Sequence, residues 1–585
     1  MARADLRTIL AGLVVVGVGL FGEVGWALVY LVAGLGITVL SVEIAGDGLQ
    51  EQTLASWSWW SLIAWSVAAA LVVSGDALAS KTTLGSWVAA WVIFAVTVRA
   101  GLVGRKIVLI LLGAGAGILG LGIVAGSLGA PQLISNTNIS VAMIVAMIPL
   151  IVELFGSFRT AFVAMAFLAV PVIMTGSRAG VLSILVIAGL LWPSGRLRRW
   201  MMVLGGVGAI GAIMWRFLQH PDSLAWHRWR IWGAVIQSIQ DRPLWGIGAG
   251  AMSEAMGPYR LEHLTEIGRW GHVIGSAENM PLGLAVRVGL PALILAGVAL
   301  AIWRTQSLRP TPEATAALAA IVTMGLFHDF WSEPAVLWWW AAVLGLTTLR
   351  PRVQPRCGNL PRRWMLCLAA GGIAAWALVQ PAWAQWMWSR QPPSKKTVSE
   401  AIRAEPWFSE PLQWRVQKLL VKKRWTWDDA SEALNWSRRQ LEVRGGSAQT
   451  WGLMAQVNAR IITEFGAWPA TVENARKAFV RASTLEPRLP WYPYNHALME
   501  RGLGNLEGAT SLAVHSVELE PFFARGWLLL TRLELDAGDL DSARKAFDRA
   551  LIVRDTGESR SWTPYHSDLI RCPNWQTEAL KGVLR

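Results

Sequence analysis

Three short stretches of this 585-residue chain combine side chains able to do chemistry with glycines and prolines able to place them. The first is Thr175-Gly176-Ser177-Arg178-Ala179-Gly180. Ser177 suits the cap of a following helix, whose first free N–H groups favour an anion. Arg178 adds a planar, permanently charged fork that matches phosphate geometry. The second stretch opens with Trp226-His227-Arg228-Trp229-Arg230-Ile231-Trp232 and runs through a helix to Asp241-Arg242-Pro243-Leu244-Trp245-Gly246-Ile247-Gly248-Ala249-Gly250, where proline and glycine stop it. Its glycines depart from the G-x-G-x-x-G spacing and have no βαβ context, so a nucleotide loop is rejected. The third stretch is Ala277-Glu278-Asn279-Met280-Pro281, which starts a long apolar run. Cys357, Cys367 and Cys572 lie far apart, with neither metal-ligand spacing nor a disulfide framework. No metal and no cofactor is expected.

The elements that must position these stretches follow from composition. The chain is 54% hydrophobic and 16% charged, with a mean hydropathy of +0.40; soluble domains carry about a quarter charged residues. The apolar excess falls in residues 1–385, in runs near the ~20 residues that span a bilayer. Thirteen candidate spans result: 8–22, 24–42, 58–74, 85–98, 106–127, 139–156, 159–175, 179–193, 199–216, 281–303, 315–330, 334–349 and 363–385. The N-terminal run has no A-x-A-like site after it and is read as an uncleaved first span. The fold class expected is therefore all-α: a polytopic bundle of about 12–13 transmembrane helices over residues 1–389, then a soluble helical domain over 390–585.

Charge sets the orientation. With the N-terminus in the cytoplasm, the inner loops hold clusters such as Arg105-Lys106, Arg196, Arg198, Arg199, Arg350, Arg352 and Arg356, while the short outer loops hold only Lys81 and Arg178. That asymmetry is the positive-inside pattern, and it explains the net charge of +14 without nucleic acid. Residues 217–280 then form one large outer loop, the turns at 175–180 and 329–334 face the same side, and the C-terminal domain lies outside. Most of the 36 tryptophans read as interface anchors, with Trp57, Trp59, Trp60 and Trp338, Trp339, Trp340 as examples. Trp226, Trp229, Trp232, Trp245 and Trp270 lie among polar groups of the outer loop, where indole faces can also pack on sugar rings.

The tail repeats. Ala475, Ala509 and Ala543 are spaced by 34, as are Ala482, Ser516 and Ala550, and Leu485-Glu486-Pro487 recurs as Leu519-Glu520-Pro521. Small residues let paired helices approach, and the proline ends each pair. The pattern resembles the tetratricopeptide repeat, with Phe479, Trp527 and Phe547 at its large positions. The third unit has Arg554-Asp555 in place of the closing motif, and residues 400–462 are helical but out of register. Such solenoids present a concave surface, here for a protein partner, and their contacts run between neighbouring units, so the tail is expected to be separable from the membrane part.

Together, the Ser-Arg-Ala-Gly element, the Arg-x-x-x-Trp-type helix with its Pro-Leu-x-Gly-x-Gly turn, and the Glu-Asn-x-x-Leu motif that closes the loop resemble the O-antigen ligase and polymerase superfamily over about residues 100–350. The resemblance implies transfer of a glycan from an undecaprenyl-diphosphate-linked donor to a lipid A-core, glycan or protein acceptor at the outer face of a bacterial inner membrane. It implies that Arg178 and Arg228 bind phosphate, with Arg230 the alternative to Arg228. The family's histidine position is occupied by Glu278. Glu278 then serves either as the base in its place or as a capping carboxylate of the following span. His272 is the next candidate base, and Ser177, Trp229, Trp232 and Asn279 complete the expected substrate site. His328, Asp329 and Glu333 share that side; His328 and Asp329 read as helix-end residues, and Arg287 as a charge that snorkels or pairs within the bundle. Two other functions stay open: a protein O-oligosaccharyltransferase, and an inactive membrane scaffold that recruits partners through its repeats.

Overall fold

The computed structural model describes residues 3–21, 54–73, 75–98, 100, 102–128, 136–155, 158–191, 227–250, 252–262, 268–270, 273–306, 309, 311–348, 375–390, 394–558, 569 and 574–584. His272, Trp226, the three cysteines and the expected spans 24–42 and 199–216 lie outside them, as do the side chains of Trp57, Trp59 and Trp60. All regular elements among the described residues are helical. The chain divides into two compact units. The first comprises 1–74, 78–250 and 276–406; the second comprises 75–77, 251–275 and 407–585.

In the first unit the helices used below are α1 (Arg3–Phe21), α2 (Leu54–Val73), α3 (Ala77–Val98), α4 (Leu102–Ser127), α5 (Thr137–Met147), α6 (Phe158–Met174), α7 (Arg178–Leu191), α8 (His227–Asp241), α9 (Met280–Val288), α10 (Leu290–Gln306), α11 (Pro312–Phe327) and α12 (Pro334–Thr347). Among the described residues, three are long and apolar enough to cross a membrane: α3, α4, and α5 with its continuation to Phe155. Shorter apolar helices accompany them, including α7, α11 and α12. The helices α1, α5 and α12 pack into one core with α4, and α7 lies along α11.

Two clusters fix the ends of this bundle. At one end Glu153, just past α5, takes Arg309 at 2.7 Å and Arg105 at 3.3 Å, and Arg105 also donates to the Leu346 carbonyl at the close of α12. At the other end the Ser177 hydroxyl donates to Asn138 at the start of α5 (3.2 Å), and the Asn279 amide donates to the Leu326 carbonyl at the close of α11 (2.9 Å). The turns at 175–177, 278–279 and 328–333 therefore share one end of the unit. Ion pairs close the opposite end because charges among apolar helices persist only when paired.

Three sequence expectations are revised. Trp338, Trp339 and Trp340 are buried in the core, not at an interface; the indole N–H groups of Trp338 and Trp340 donate to Ser86 and to the Ala142 carbonyl, so the polar edge of each ring is satisfied inside the bundle. Lys81, expected in a short loop, sits within α3 and makes a buried ion pair with Glu405 at 2.6 Å. The run 281–303 is two helices, α9 and α10, broken at Gly289 (φ +87°). The break has a cause: in place of further helix contacts, Val286 and Arg287 carbonyls accept hydrogen bonds from Ile247 and Gly248 at 2.8 and 2.9 Å.

The second unit is built around consecutive helices, from Ser409–Leu420 to Leu540–Glu558, each packed on the next in the chain. The alanines at the 34-residue positions, Ala475, Ala509 and Ala543, are fully buried between paired helices, as are Ala482, Ser516 and Ala550. Helical pairing extends through 409–465, where the sequence repeat loses register. Residues 251–275, part of the large loop by sequence, fold with this unit.

Candidate functional site

The site is assembled by α8, α9 and the turn after α11. Pro243 and the glycines that follow end α8 and turn the chain back along α9. Gly246 (φ +68°) lies against the Val286 carbonyl, where a Cβ would come within 2.5 Å of the oxygen. The Leu290 amide donates to the Pro243 carbonyl at 2.8 Å. The glycine-rich turn is thus a backbone splice that lays α8 on α9, and only residues without a Cβ permit the approach.

That splice brings Arg228, at the start of α8, to Glu278, two residues before α9. Their Nη2 and Oε2 atoms are 3.4 Å apart, with both side chains part-exposed. Glu278 has φ +51°, the only non-glycine residue in the left-handed region among the described residues. That conformation costs an L-residue about 1–2 kcal/mol, so the surroundings must hold it. Ser276 accepts the Glu278 N–H at 3.2 Å, and Asp329 accepts the Ala277 N–H at 3.1 Å. Asn279 caps α9 by accepting the Leu282 N–H, while its amide reaches Leu326.

Asp329 is the buried anchor of this arrangement. Its Oδ2 takes Nη1 of Arg287 at 2.6 Å, both side chains almost fully buried, and its Oδ1 accepts the Trp331 N–H. Arg287 also donates to Ser332 and to the Gly283 carbonyl. Gly283 is small because the Asp329 carboxylate occupies the space of a side chain there, 2.6 Å from where a Cβ would lie. One consequence is that His328, adjacent to Asp329, places Nδ1 3.9 Å from Oε2 of Glu278. The expected reading of His328 as a helix-end residue holds for its backbone, which closes α11; its ring belongs to the Glu278 cluster.

Electrostatics distinguish the two titratable groups. Burial raises the Glu278 pKa, opposed by the Arg228 charge and the Ser276 hydrogen bond and assisted by Asp329. Burial, with the Arg228 charge, lowers His328 to about 4, which keeps the imidazole neutral near pH 7. The arrangement offers a carboxylate with a raised pKa, a neutral imidazole and a guanidinium in mutual reach.

The other expected residues are distributed around this cluster. Arg178 is the exposed first residue of α7, which packs along α11, and it lies at the same bundle end. Ser177 caps that helix by accepting the Gly180 N–H at 3.4 Å. Trp229 is 63% exposed and meets Trp232 edge-on with ring centroids 5.0 Å apart. Arg230 is part-buried on α8. Trp245 stacks on Trp65 at 4.7 Å, and Trp270 packs within the second unit, so both serve packing. The Asp329–Arg287 anchor was the feature least visible in sequence; its signal was a charged residue inside an apolar run.

Residues 161–297 match the family described as O-antigen ligase, a segment that includes Arg178, Arg228 and Glu278. No curated protein matches the chain. Among solved structures, the chain is similar to MamA at 17% identity, over 28% of this chain and 89% of that one, with a TM-score of 0.24. It is similar to TTC0263, a thermophilic TPR protein of Thermus thermophilus, at 17% identity, 32% and 94% coverage and a TM-score of 0.23. The yeast Tom70 likeness has 11% identity, 82% and 92% coverage and a TM-score of 0.18. Residues 161–297, which hold the α7, α8 and α9 contributions to the site, are thus the segment that matches the O-antigen ligase family.

Proposed function

We propose that the chain transfers a glycan from an undecaprenyl-diphosphate carrier to an acceptor hydroxyl in cell-surface polysaccharide biosynthesis, as a ligase or polymerase at the periplasmic face of a bacterial inner membrane. The observation that carries this reading is the meeting of Arg228, Glu278 and His328 at the bundle end that also bears Arg178. Orientation follows from the charge bias of the loops.

The chemistry follows from the residues. Arg178 and Arg228 bind the diphosphate oxygens, Arg228 exchanging its contact with Glu278 for one with phosphate. Losing that cation removes the influence that pulls the Glu278 pKa down while burial continues to raise it, so donor binding makes the carboxylate a stronger base. Glu278 takes the proton of the acceptor hydroxyl as its oxygen forms a bond to the anomeric carbon. The bond from that carbon to the diphosphate oxygen breaks, and its electron pair remains on phosphate, where fixed guanidinium groups stabilise it. The two arginines supply the charge that a metal would otherwise supply. Trp229 offers an exposed indole face to a sugar ring, and Trp232, Arg230, Ser177 and Asn279 complete the substrate-contacting set.

The test is glycan analysis of a deletion strain complemented with the wild-type chain, Arg178→Lys or Arg228→Lys. The expected result is loss of polymer-bearing surface glycan, restored by wild type and not by either variant. Bare lipid A-core identifies a ligase, single repeat units a polymerase and unmodified glycoprotein an oligosaccharyltransferase. Unchanged surface glycans in the deletion strain overturn the proposal.

A further inference from the structure

The second unit contains a segment that the repeat itself does not predict: residues 251–275 of the large loop. The contacts that hold it fall on the Leu-Glu-Pro turns. Arg260 makes a two-point ion pair with Glu486, Nε to Oε2 at 2.5 Å and Nη2 to Oε1 at 3.0 Å, with both side chains about 10% exposed or less. One repeat later, Glu520 accepts the Arg269 N–H at 2.7 Å, and the Trp270 indole donates to the Leu519 carbonyl at 3.1 Å. The Arg488 guanidinium lies 4.4 Å over the Trp270 ring. The backbone of Gly257 presses on the Leu485 carbonyl, where a Cβ would come within 2.5 Å of the oxygen.

The register of these contacts is informative. Glu486 and Glu520 are equivalent positions of the 34-residue repeat, and each engages the loop segment. The next equivalent position is Arg554, which pairs with its neighbour Asp555. Among the described residues, these loop contacts fall on the two repeat positions that carry a carboxylate. A second piece of chain, 75–77, is taken up in the same unit: the Gly446 N–H donates to the Gly75 carbonyl at 3.2 Å, and Arg444 pairs with Asp76 at 3.2 Å and with Glu254.

We propose that the repeat domain is an intrachain clasp, whose ligand is residues 251–275 of its own chain gripped by Glu486 and Glu520. Where solenoids offer such turns to a separate protein, this one spends them on the loop that leads into Ser276, the residue that accepts the Glu278 N–H. Arg260, Trp270, Glu486 and Glu520 are therefore positioning residues for the loop segment itself, and the clasp does not depend on the transfer reading above. The tail is in consequence not separable from the loop in the way its sequence modularity implies.

The experiment is amide hydrogen exchange on the full-length protein in detergent or nanodiscs. Glu486→Gln and, separately, Trp270→Ala are expected to speed exchange across 252–275 by at least about tenfold, local opening being read directly by this method. Exchange in the helices of 409–558 should stay unchanged, which shows that the tail is folded. Arg260→Glu combined with Glu486→Arg should restore protection. Unchanged exchange across 252–275 in both single variants, with the tail helices intact, overturns the clasp. Because exchange is measured without substrate, a failure of the transfer reading leaves this result standing.

Discussion

Glu278 and His328 come from opposite sides of α9 and α10 in the chain, yet Oε2 of one stands 3.9 Å from Nδ1 of the other. Burial acts on them in opposite directions: it raises the carboxyl pKa and lowers the imidazole to about 4. For the histidine the unfolded chain binds the proton more readily than the folded one. The neutral ring therefore contributes stability that is fully present above the unfolded pKa of about 6.5 and is lost as pH falls through the window down to about 4. Thermal unfolding of the detergent-solubilised protein should show this. His328→Gln should flatten the decline between pH 6.5 and 4 relative to wild type, by on the order of 3 kcal/mol at full effect. Parallel pH profiles for the two proteins would mean that His328 is charged in the fold or solvated.

Glu278 has the opposite linkage. Its raised folded pKa favours the folded state while protonated, and that contribution disappears as pH rises through the folded pKa. As a base it must be ionised, so transfer should rise with pH through a midpoint above the ordinary carboxylate value. The acid limb of a kcat/KM profile measures it, and a limb at or below the ordinary value would contradict the assignment.

The Asp329–Arg287 pair is expected to be a structural requirement. Asp329→Asn leaves a buried guanidinium without its counter-charge, a change that typically costs about 3–5 kcal/mol. Thermal unfolding should fall sharply for this variant, and much less for Ser332→Ala, which removes one neutral partner of Arg287. Equal, small effects would show that the pair is solvated.

Gly246→Ala and Gly289→Ala should each disrupt the splice between α8 and α9. Both positions have positive φ, and an added Cβ would overlap the Val286 or the Leu244 carbonyl. A loss of about 1–3 kcal/mol is expected from overpacking of this kind. Gly233→Ala, on the open face of α8 with nothing near its Cβ position, is the control and should be neutral or stabilising. A neutral Gly246→Ala would remove the structural explanation of the glycine-rich turn.

How much of this was legible in the sequence depended on the kind of information each feature carries. Helix-forming apolar runs are local, so most described helices fall where hydropathy places them. The 34-residue spacing marks its buried alanines directly, because identical packing recurs at each turn of the repeat. Arg228, Glu278 and Arg178 carry recognisable local motifs. What stayed hidden was long-range: Gly289 looks like one more residue in an apolar run until the turn at 243–248 takes its neighbours' carbonyls. Trp338, Trp339 and Trp340 read as an interface belt by composition alone, although partners on α3 and α5 satisfy two of their three N–H groups inside the bundle. Lys81 read as a loop charge because Glu405 is remote in sequence. Pairing partners of buried charges are set by tertiary structure, and no local pattern encodes them.

The central claim is that Glu278 is the base of a glycan transfer in which Arg178 and Arg228 hold the diphosphate. Its most direct test is single-turnover transfer by the purified protein from a polyprenyl-diphosphate-linked glycan, comparing wild type with Glu278→Gln, an isosteric change that removes the proton acceptor. The account predicts that donor binding persists while the transfer rate falls by about 10²–10⁴-fold, the usual contribution of a positioned base. A Glu278→Gln protein that transfers glycan at the wild-type rate would contradict it.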